Sequence, residues 1–196
     1  METFPGDRLT GERVRLRSQL ASDAANHIRW RNDAEVAYWA TAGDVAFYPI
    51  AAGTVERWFA DKLDDLDPTT DGVFAIELLD GRHIGMADYR DVDSITRSAT
   101  VGITIGEKDC WGHGYGSEAL HLLVAFLFDH LNLRRIQLDT WSGNDRAIRS
   151  FARVGFQEEG RLREAVRAPD GYYDSVIMGL LRSEWHSDPI PPRALG

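Results

Sequence analysis

The sequence predicts an α/β (α+β) fold on a mixed, mostly antiparallel sheet, and three stretches carry that prediction. Asp80-Gly81, set between two apolar runs, is a two-residue hairpin signal, which makes the flanking strands antiparallel neighbours. Cys110-Trp111-Gly112-His113-Gly114-Tyr115-Gly116-Ser117 joins the extended run 101–105 to a helical run at 118–131. A second extended run, 136–141, follows that helix, and a helix-length connection between two strands implies a parallel crossover.

Taken in order, Val14 and Leu16 alternate with Arg13, Arg15 and Arg17 as in a half-exposed strand. Ser22 is placed to cap a helix running through Ile28 and Trp30 to Arg31, and a shorter helical piece covers 36–39. A loop holding Gly43, Pro49 and Gly53 follows. Thr54 is placed to cap the next helix, whose Val55, Trp58, Phe59 and Leu63 share one face and are expected in the core. Strands 73–79 and 83–89 flank the Asp80-Gly81 turn, and a turn at 91–96 leads to the strand that feeds the glycine loop. Beyond the loop, Ala119, Leu120, Leu122, Leu123, Phe126 and Leu127 form a broad apolar face, so the helix lies buried on the sheet, with Arg134 and Arg135 at its C-terminal end. Asn144 caps another helix with Ala147, Ile148, Phe151 and Ala152 inward, Gly155 ends it in a left-handed conformation, and Phe156 starts a strand. The last hairpin turns at Pro169-Asp170-Gly171 and returns through 172–181. Residues 1–186 are expected to form one domain, and 187–196, with three prolines and little to bury, a flexible tail.

The 196 residues, 43% of them hydrophobic, suffice for one well-filled core. Cys110 is the single cysteine, so no internal disulfide framework exists, and no apolar run approaches the ~20 residues that cross a bilayer. The N-terminus lacks the basic-then-apolar pattern of a secretion signal, and the expected location is cytoplasmic. A net charge of -9 argues against nucleic acid as the main partner and suits a cationic substrate.

Glycines at alternate positions of a strand-to-helix turn remove the side chains that would hold an anion away, and the first amides of the helix are unpaired donors. The loop is therefore a candidate phosphate cradle. It lacks the lysine of a P-loop. Gly112-x-Gly114-x-x-Ser117, with Asp139 further on, approximates a dinucleotide fingerprint, but here hairpins come first and the glycine loop comes late, against the repeated βα order of that fold.

These stretches resemble the GNAT N-acetyltransferases, and among them the ribosomal-protein alanine acetyltransferase (RimJ/RimL-like) type. Trp111-Gly112-His113-Gly114-Tyr115-Gly116 is similar to the family's pyrophosphate motif, with Trp111 where that motif has Gln or Arg. Residues 144–156, Asn-Asp-Arg-Ala-Ile-Arg-Ser-Phe-Ala-Arg-Val-Gly-Phe, are the second match, and 9–17, 29–33, 170–176 and 180–185 agree as well. The resemblance implies a GNAT fold with a central parallel strand pair that splays into a V, flanked by helices, and acetyl-coenzyme A lying in the V. It also implies that the pantetheine arm pairs with Ile103, Thr104 and Ile105, that the pyrophosphate takes the amides of Gly112, His113, Gly114, Tyr115, Gly116 and Ser117, and that Trp111, Asn144 and Phe151 line the cofactor site. Asn144 serves equally as a plain helix cap.

Direct acetyl transfer to an amine needs a deprotonated amine, a polarised thioester carbonyl and a proton for the thiolate. It needs no enzyme nucleophile, which leaves Cys110 as an ordinary small residue, and no metal is expected. Many relatives place a tyrosine acid where Phe151 stands, and a phenyl ring donates no proton; Ser150 and Tyr115 are the substitutes. Asp139, sharing a strand face with Gln137 and Trp141, is the candidate base, ahead of Glu107, Glu164 and Asp174. The implied partner is an amine acceptor, a peptide N-terminus or a small molecule, with homodimerisation left open. A non-catalytic acyl-coenzyme A-binding module is the alternative.

Overall fold

The computed structural model describes residues 9–42, 50–64 and 67–186; the expected loop around Gly43 and Pro49 and the expected tail at 187–196 lie outside the described residues. Its elements are β1 (Val14–Ser18), α1 (Ala24–Arg31), α2 (Ala34–Thr41), α3 (Ala52–Asp64), β2 (Gly72–Leu78), β3 (His83–Asp93), β4 (Ser98–Ile105), α4 (Tyr115–Asp129), β5 (Arg135–Trp141), α5 (Asp145–Val154), β6 (Gln157–Ala168) and β7 (Gly171–Leu181). The strands form one sheet in the order β1-β2-β3-β4-β5-β7-β6, antiparallel throughout except for β4 and β5. The Asp80-Gly81 turn has Gly81 at φ +95° and closes β2 onto β3, with Leu78 N–H donating to the Arg82 carbonyl at 2.9 Å.

Alternation along the strands puts helices on both faces. Ile84, Val101, Ile136 and Leu138 enter the main core with Leu120, Leu123 and Leu127 of α4, whereas His83, next to Ile84, packs on Trp30 of α1 from the other side. Likewise Trp141 leaves the main core and stacks on Trp39 of α2 at a ring separation of 5.8 Å. Helix α4 is apolar enough to bury Ala119, Leu120, Leu123 and Val124 completely, as the sequence predicts for a helix laid on a sheet.

Four local expectations change. Ser22 lies inside a 3-10 turn, Ala21–Asp23, and the Asp23 carboxylate instead receives the Leu20 amide at 2.8 Å, because an aspartate held by Arg17 is already fixed there. Thr54 lies within α3, whose first turn begins two residues earlier. Trp58 is exposed rather than core: Val55 and Phe59 carry the buried face, and Arg31 covers the Trp58 ring at 5.8 Å. Arg134 and Arg135 are not at the α4 terminus, which comes at Asp129; Arg135 opens β5 and pairs with Glu159 at 2.5 Å.

Candidate active site

The site begins where β4 and β5 part. Their parallel pairing holds only at Ser98↔Arg135, Ala99↔Ile136 and Thr100↔Gln137, yet β4 continues to Ile105 and β5 to Trp141. Past Thr100 the two strands diverge into a V, and the β5-facing backbone groups of residues 101–105 are left without a strand partner. Trp111 Nε1–H takes one of the backbone groups at its mouth, donating to the Ile105 carbonyl at 2.7 Å.

The glycine loop closes this mouth. Gly112 and Gly114 adopt φ of +80° and +85°, a region costly for side-chain-bearing residues, so the turn depends on glycine at both positions. Helix α4 starts at Tyr115, three residues before the expected Glu118, with Gly114 as an N-cap that offers no side chain to the first amides. The amides of Tyr115, Gly116 and Ser117 therefore meet the cleft at the positive end of the dipole.

Around the V lies an open cleft whose lining joins the two strands, the glycine loop and α5. It brings together Ile103, Thr104 and Ile105, the loop residues Trp111, Gly112, Gly114, Tyr115, Gly116 and Ser117, and Asn144, Ser150 and Phe151 of the second matched stretch. His113 stays outside it, exposed and stacked on Tyr115 at 5.8 Å. Asp139 also stays outside: it is an exposed residue of β5, paired across the sheet with Ile177, on the face that carries Trp141.

Asn144 does what a cap should, accepting from the Ala147 amide at 3.2 Å, and its Nδ2 donates to the Trp39 carbonyl at 3.1 Å, tying α2 to the cleft. Phe151 is buried against Phe156, at a ring separation of 6.5 Å, while still reaching the cleft wall. Ser150 Oγ lies 2.8 Å from Ser117 Oγ, so the two hydroxyls pair across α5 and α4 on the cleft lining. Cys110 also lines the cleft; burial first, then Asp109, pushes its thiol up, the opposite of an activated nucleophile.

Among the described residues the lining has no carboxylate. Its charged groups are Arg146, Arg149 and Arg153, all from α5. Sequence reading missed these and Trp39, because only packing shows which side of α5 turns toward the cleft. It likewise missed Arg13, whose guanidinium donates to the His113 carbonyl at 2.8 Å and lies 5.5 Å over the Tyr115 ring. Glu107 is taken up elsewhere. Burial opposes its ionisation, but Arg29, Trp30 Nε1 and Arg82 all donate to it and hold its carboxyl below the usual range.

A splayed parallel pair, a glycine turn opening a helix and a cleft joining them define the acetyltransferase class of cleft, and residues 13–157 match the acetyltransferase (GNAT) domain family. The chain belongs to that family. It is 31% identical over 117 residues to YdaF of Bacillus subtilis, which carries the name of a ribosomal N-acetyltransferase, a match spanning 60% of this chain and 63% of the length of YdaF. It is 28% identical over 172 residues to the aminoglycoside N(6')-acetyltransferase type 1 of Klebsiella pneumoniae, covering 83% of this chain and 81% of that one. Its fold superposes with a TM-score of 0.76 on the spermidine N-acetyltransferase of Vibrio cholerae solved with CoA and spermine, at 23% identity over 89% of this chain and 98% of the other.

Proposed function

We propose that the protein transfers the acetyl group of acetyl-coenzyme A directly to the primary amine of a small polycation. The observation that carries direct transfer is the cleft itself: an anion cradle and a free strand edge meet there, and its only thiol is held protonated by burial. Acetyl-coenzyme A, when bound, supplies an activated thioester; the chain's task is to hold and orient it. The backbone of residues 103–105 would take the amide-bearing arm, and the amides of 115–117 the diphosphate.

The acceptor would approach from the face of α2, where Tyr38, Trp39, Trp141 and Tyr173 form one aromatic group with ring separations of 4.9–5.8 Å. Aromatic faces favour cations. The net charge of -9 adds a long-range attraction for a polycation. The relatives named for polyamine and aminoglycoside acetylation point the same way. A peptide N-terminus, the acceptor of the ribosomal-protein type, is the second reading, and the YdaF match is what favours it.

Deprotonation of the acceptor falls to water and to Asp139, an exposed carboxylate on the acceptor face of β5. The departing thiolate needs little help, since a thiol titrates near pH 8.5, and the Ser150–Ser117 pair is the hydroxyl group at hand. A panel of spermidine, an aminoglycoside and short peptides, followed by coenzyme A release and by product mass, tests the assignment. Acetylated spermidine or aminoglycoside is the expected result; acetylation of peptides alone moves the acceptor to a protein N-terminus. Coenzyme A binding without release from any amine would make the protein a binding module. Gly114→Asp checks the cradle separately, by placing bulk and a carboxylate at the loop, and should abolish coenzyme A binding in a folded protein.

A further inference from the structure

Three arginines of α5 remain unexplained by the cradle. Arg146, Arg149 and Arg153 all line the cleft. Their spacing of three and four residues places them on one helical face, as a stripe about 10 Å long at ~1.5 Å per residue. In a chain with nine more acids than bases, many guanidinium groups are taken up by carboxylates: Arg13, Arg15, Arg17, Arg82, Arg135 and Arg161 all sit within 3 Å of one. The stripe is different. Arg149 is 71% exposed and only 3.9 Å contacts link it to Asp145, and among the described residues no carboxylate lies in ion-pair range of Arg146 or Arg153. Arg146 is held between two indoles, with its Cζ 4.3 Å from the Trp111 ring centre and 5.3 Å from that of Trp39.

We infer that the Arg149–Arg153 end of this stripe recognises a nucleoside 3'-phosphate, the third phosphate of the coenzyme A nucleotide. The inference rests on the proposed binding of acetyl-coenzyme A in the cleft. The amides of 115–117 supply neutral donors and a helix dipole, enough for a diphosphate. A phosphomonoester carries close to two further negative charges near pH 7 and is best met by guanidinium forks. Two forks, Arg149 with only its 3.9 Å contact to Asp145 and Arg153 with no carboxylate in ion-pair range among the described residues, stand one turn apart on the helix that forms the other wall of the same cleft. Arg146, clamped between Trp39 and Trp111 at the inner end, fixes where the stripe begins. An acidic acceptor is the other anion this stripe could meet, and the two sources are separable.

The test compares coenzyme A with 3'-dephospho-coenzyme A in direct binding titrations on the full chain. The parent protein should prefer coenzyme A by about tenfold or more, which is about 1.4 kcal/mol. Arg149→Gln and Arg153→Gln should each cut that preference severalfold, and the double variant should bring the two ligands to near-equal affinity without weakening 3'-dephospho-coenzyme A. The preference should also shrink with added salt, since the forks are exposed. Equal binding of both ligands by the parent protein overturns the inference, as does equal weakening of both in the double variant. A raised acceptor KM with the coenzyme A preference intact would also overturn it and give the stripe to the acceptor. Failure of the parent protein to bind either ligand would instead overturn the cofactor assignment on which the inference stands.

Discussion

Arg13 Nε lies 2.7 Å from Glu118 Oε2, so the first strand of the sheet and the first turn of the loop helix are fastened to each other. Glu118 Oε1 accepts from the Arg13 and Val14 amides at 2.8 and 3.3 Å. The guanidinium spans onward to the His113 carbonyl. A carboxylate in the first turn would repel a bound phosphate, and Arg13 offsets it while pinning the loop. Arg13→Gln should therefore weaken coenzyme A binding by about tenfold, the scale of one charge-assisted contact, and leave the acceptor KM unchanged. Titration calorimetry with coenzyme A, alongside acceptor saturation curves, reads both; an unaltered coenzyme A affinity would separate Arg13 from the cradle.

Glu118→Ala makes a different demand, because it strands two strand amides and the Arg13 charge together. A loss of about 3 kcal/mol in unfolding free energy is expected from orphaned buried donors. Denaturant titration would show this as a lower midpoint at constant slope. A loss under 1 kcal/mol would mean that water reaches the amides.

His27 sets the stability at mildly acidic pH. It is packed among Trp30, Phe59 and His83, its Nε2 has no partner, and burial first, then His83, lowers its pKa to about 4. The unfolded chain takes up a proton near pH 6.5 that the folded chain refuses until about pH 4, so the contribution is whole above 6.5 and falls away between those values. His83 shifts in the same direction, by burial. The paired carboxylates Asp23, Glu77 and Glu107 are also held low, and their contribution begins to fall only as pH nears their unfolded values of about 4 to 4.5, at the acid edge of this window. Unfolding free energy should drop by about 2–3 kcal/mol from pH 7 to pH 4.5, and His27→Phe should flatten most of that fall. A flat profile in the parent protein would mean that His27 is protonated inside the fold.

The order of elements and the glycine turn were legible because both depend on short-range chemistry: turn glycines, a cap at Asn144, an apolar helix face. Glycine at 112 and 114 marks the loop in sequence for the same reason that their φ values mark it in the structure. What was hidden depends on contacts far apart in the chain. Arg13 reads as an outward strand residue until α4, more than a hundred positions later, supplies Glu118. Trp39 and Arg146 become a site only when α2 and α5 meet across the V. Asp139 shows the converse limit: alternation correctly gave its face, but a face does not say whether a cleft reaches it.

Ser150 and Phe151 divide the question of the acid. Ser150→Ala removes one hydroxyl of the pair with Ser117 and should lower kcat by about threefold, since a thiolate with a conjugate acid near pH 8.5 departs with little assistance. Phe151→Tyr adds a hydroxyl to a ring already on the cleft wall. Its neighbour Phe156 is apolar, so the hydroxyl must point into the cleft to be solvated, and activity should be kept or modestly raised. A hundredfold loss in Ser150→Ala would make that hydroxyl the proton donor. A severe loss in a folded Phe151→Tyr protein would show that the wall admits no polar atom there.

Asp139 is the last and sharpest case. A base held directly against the acceptor contributes on the order of 100-fold, but Asp139 is exposed on β5 and outside the cleft lining, so any proton it takes must come through water. Asp139→Asn should accordingly lower kcat by about tenfold at neutral pH, short of that limit. Its coenzyme A affinity should not change, since the residue is remote from the cradle. The deficit should narrow as pH rises, because more of the acceptor is then already the free amine, and the parent enzyme measured over the same range supplies the acceptor's own titration. Full parental kcat at every pH would remove Asp139 from the reaction and leave water alone to receive the proton. A hundredfold loss that persists at high pH would point instead to a role in holding the acceptor, because a proton acceptor becomes dispensable once the amine arrives deprotonated and an anchor does not.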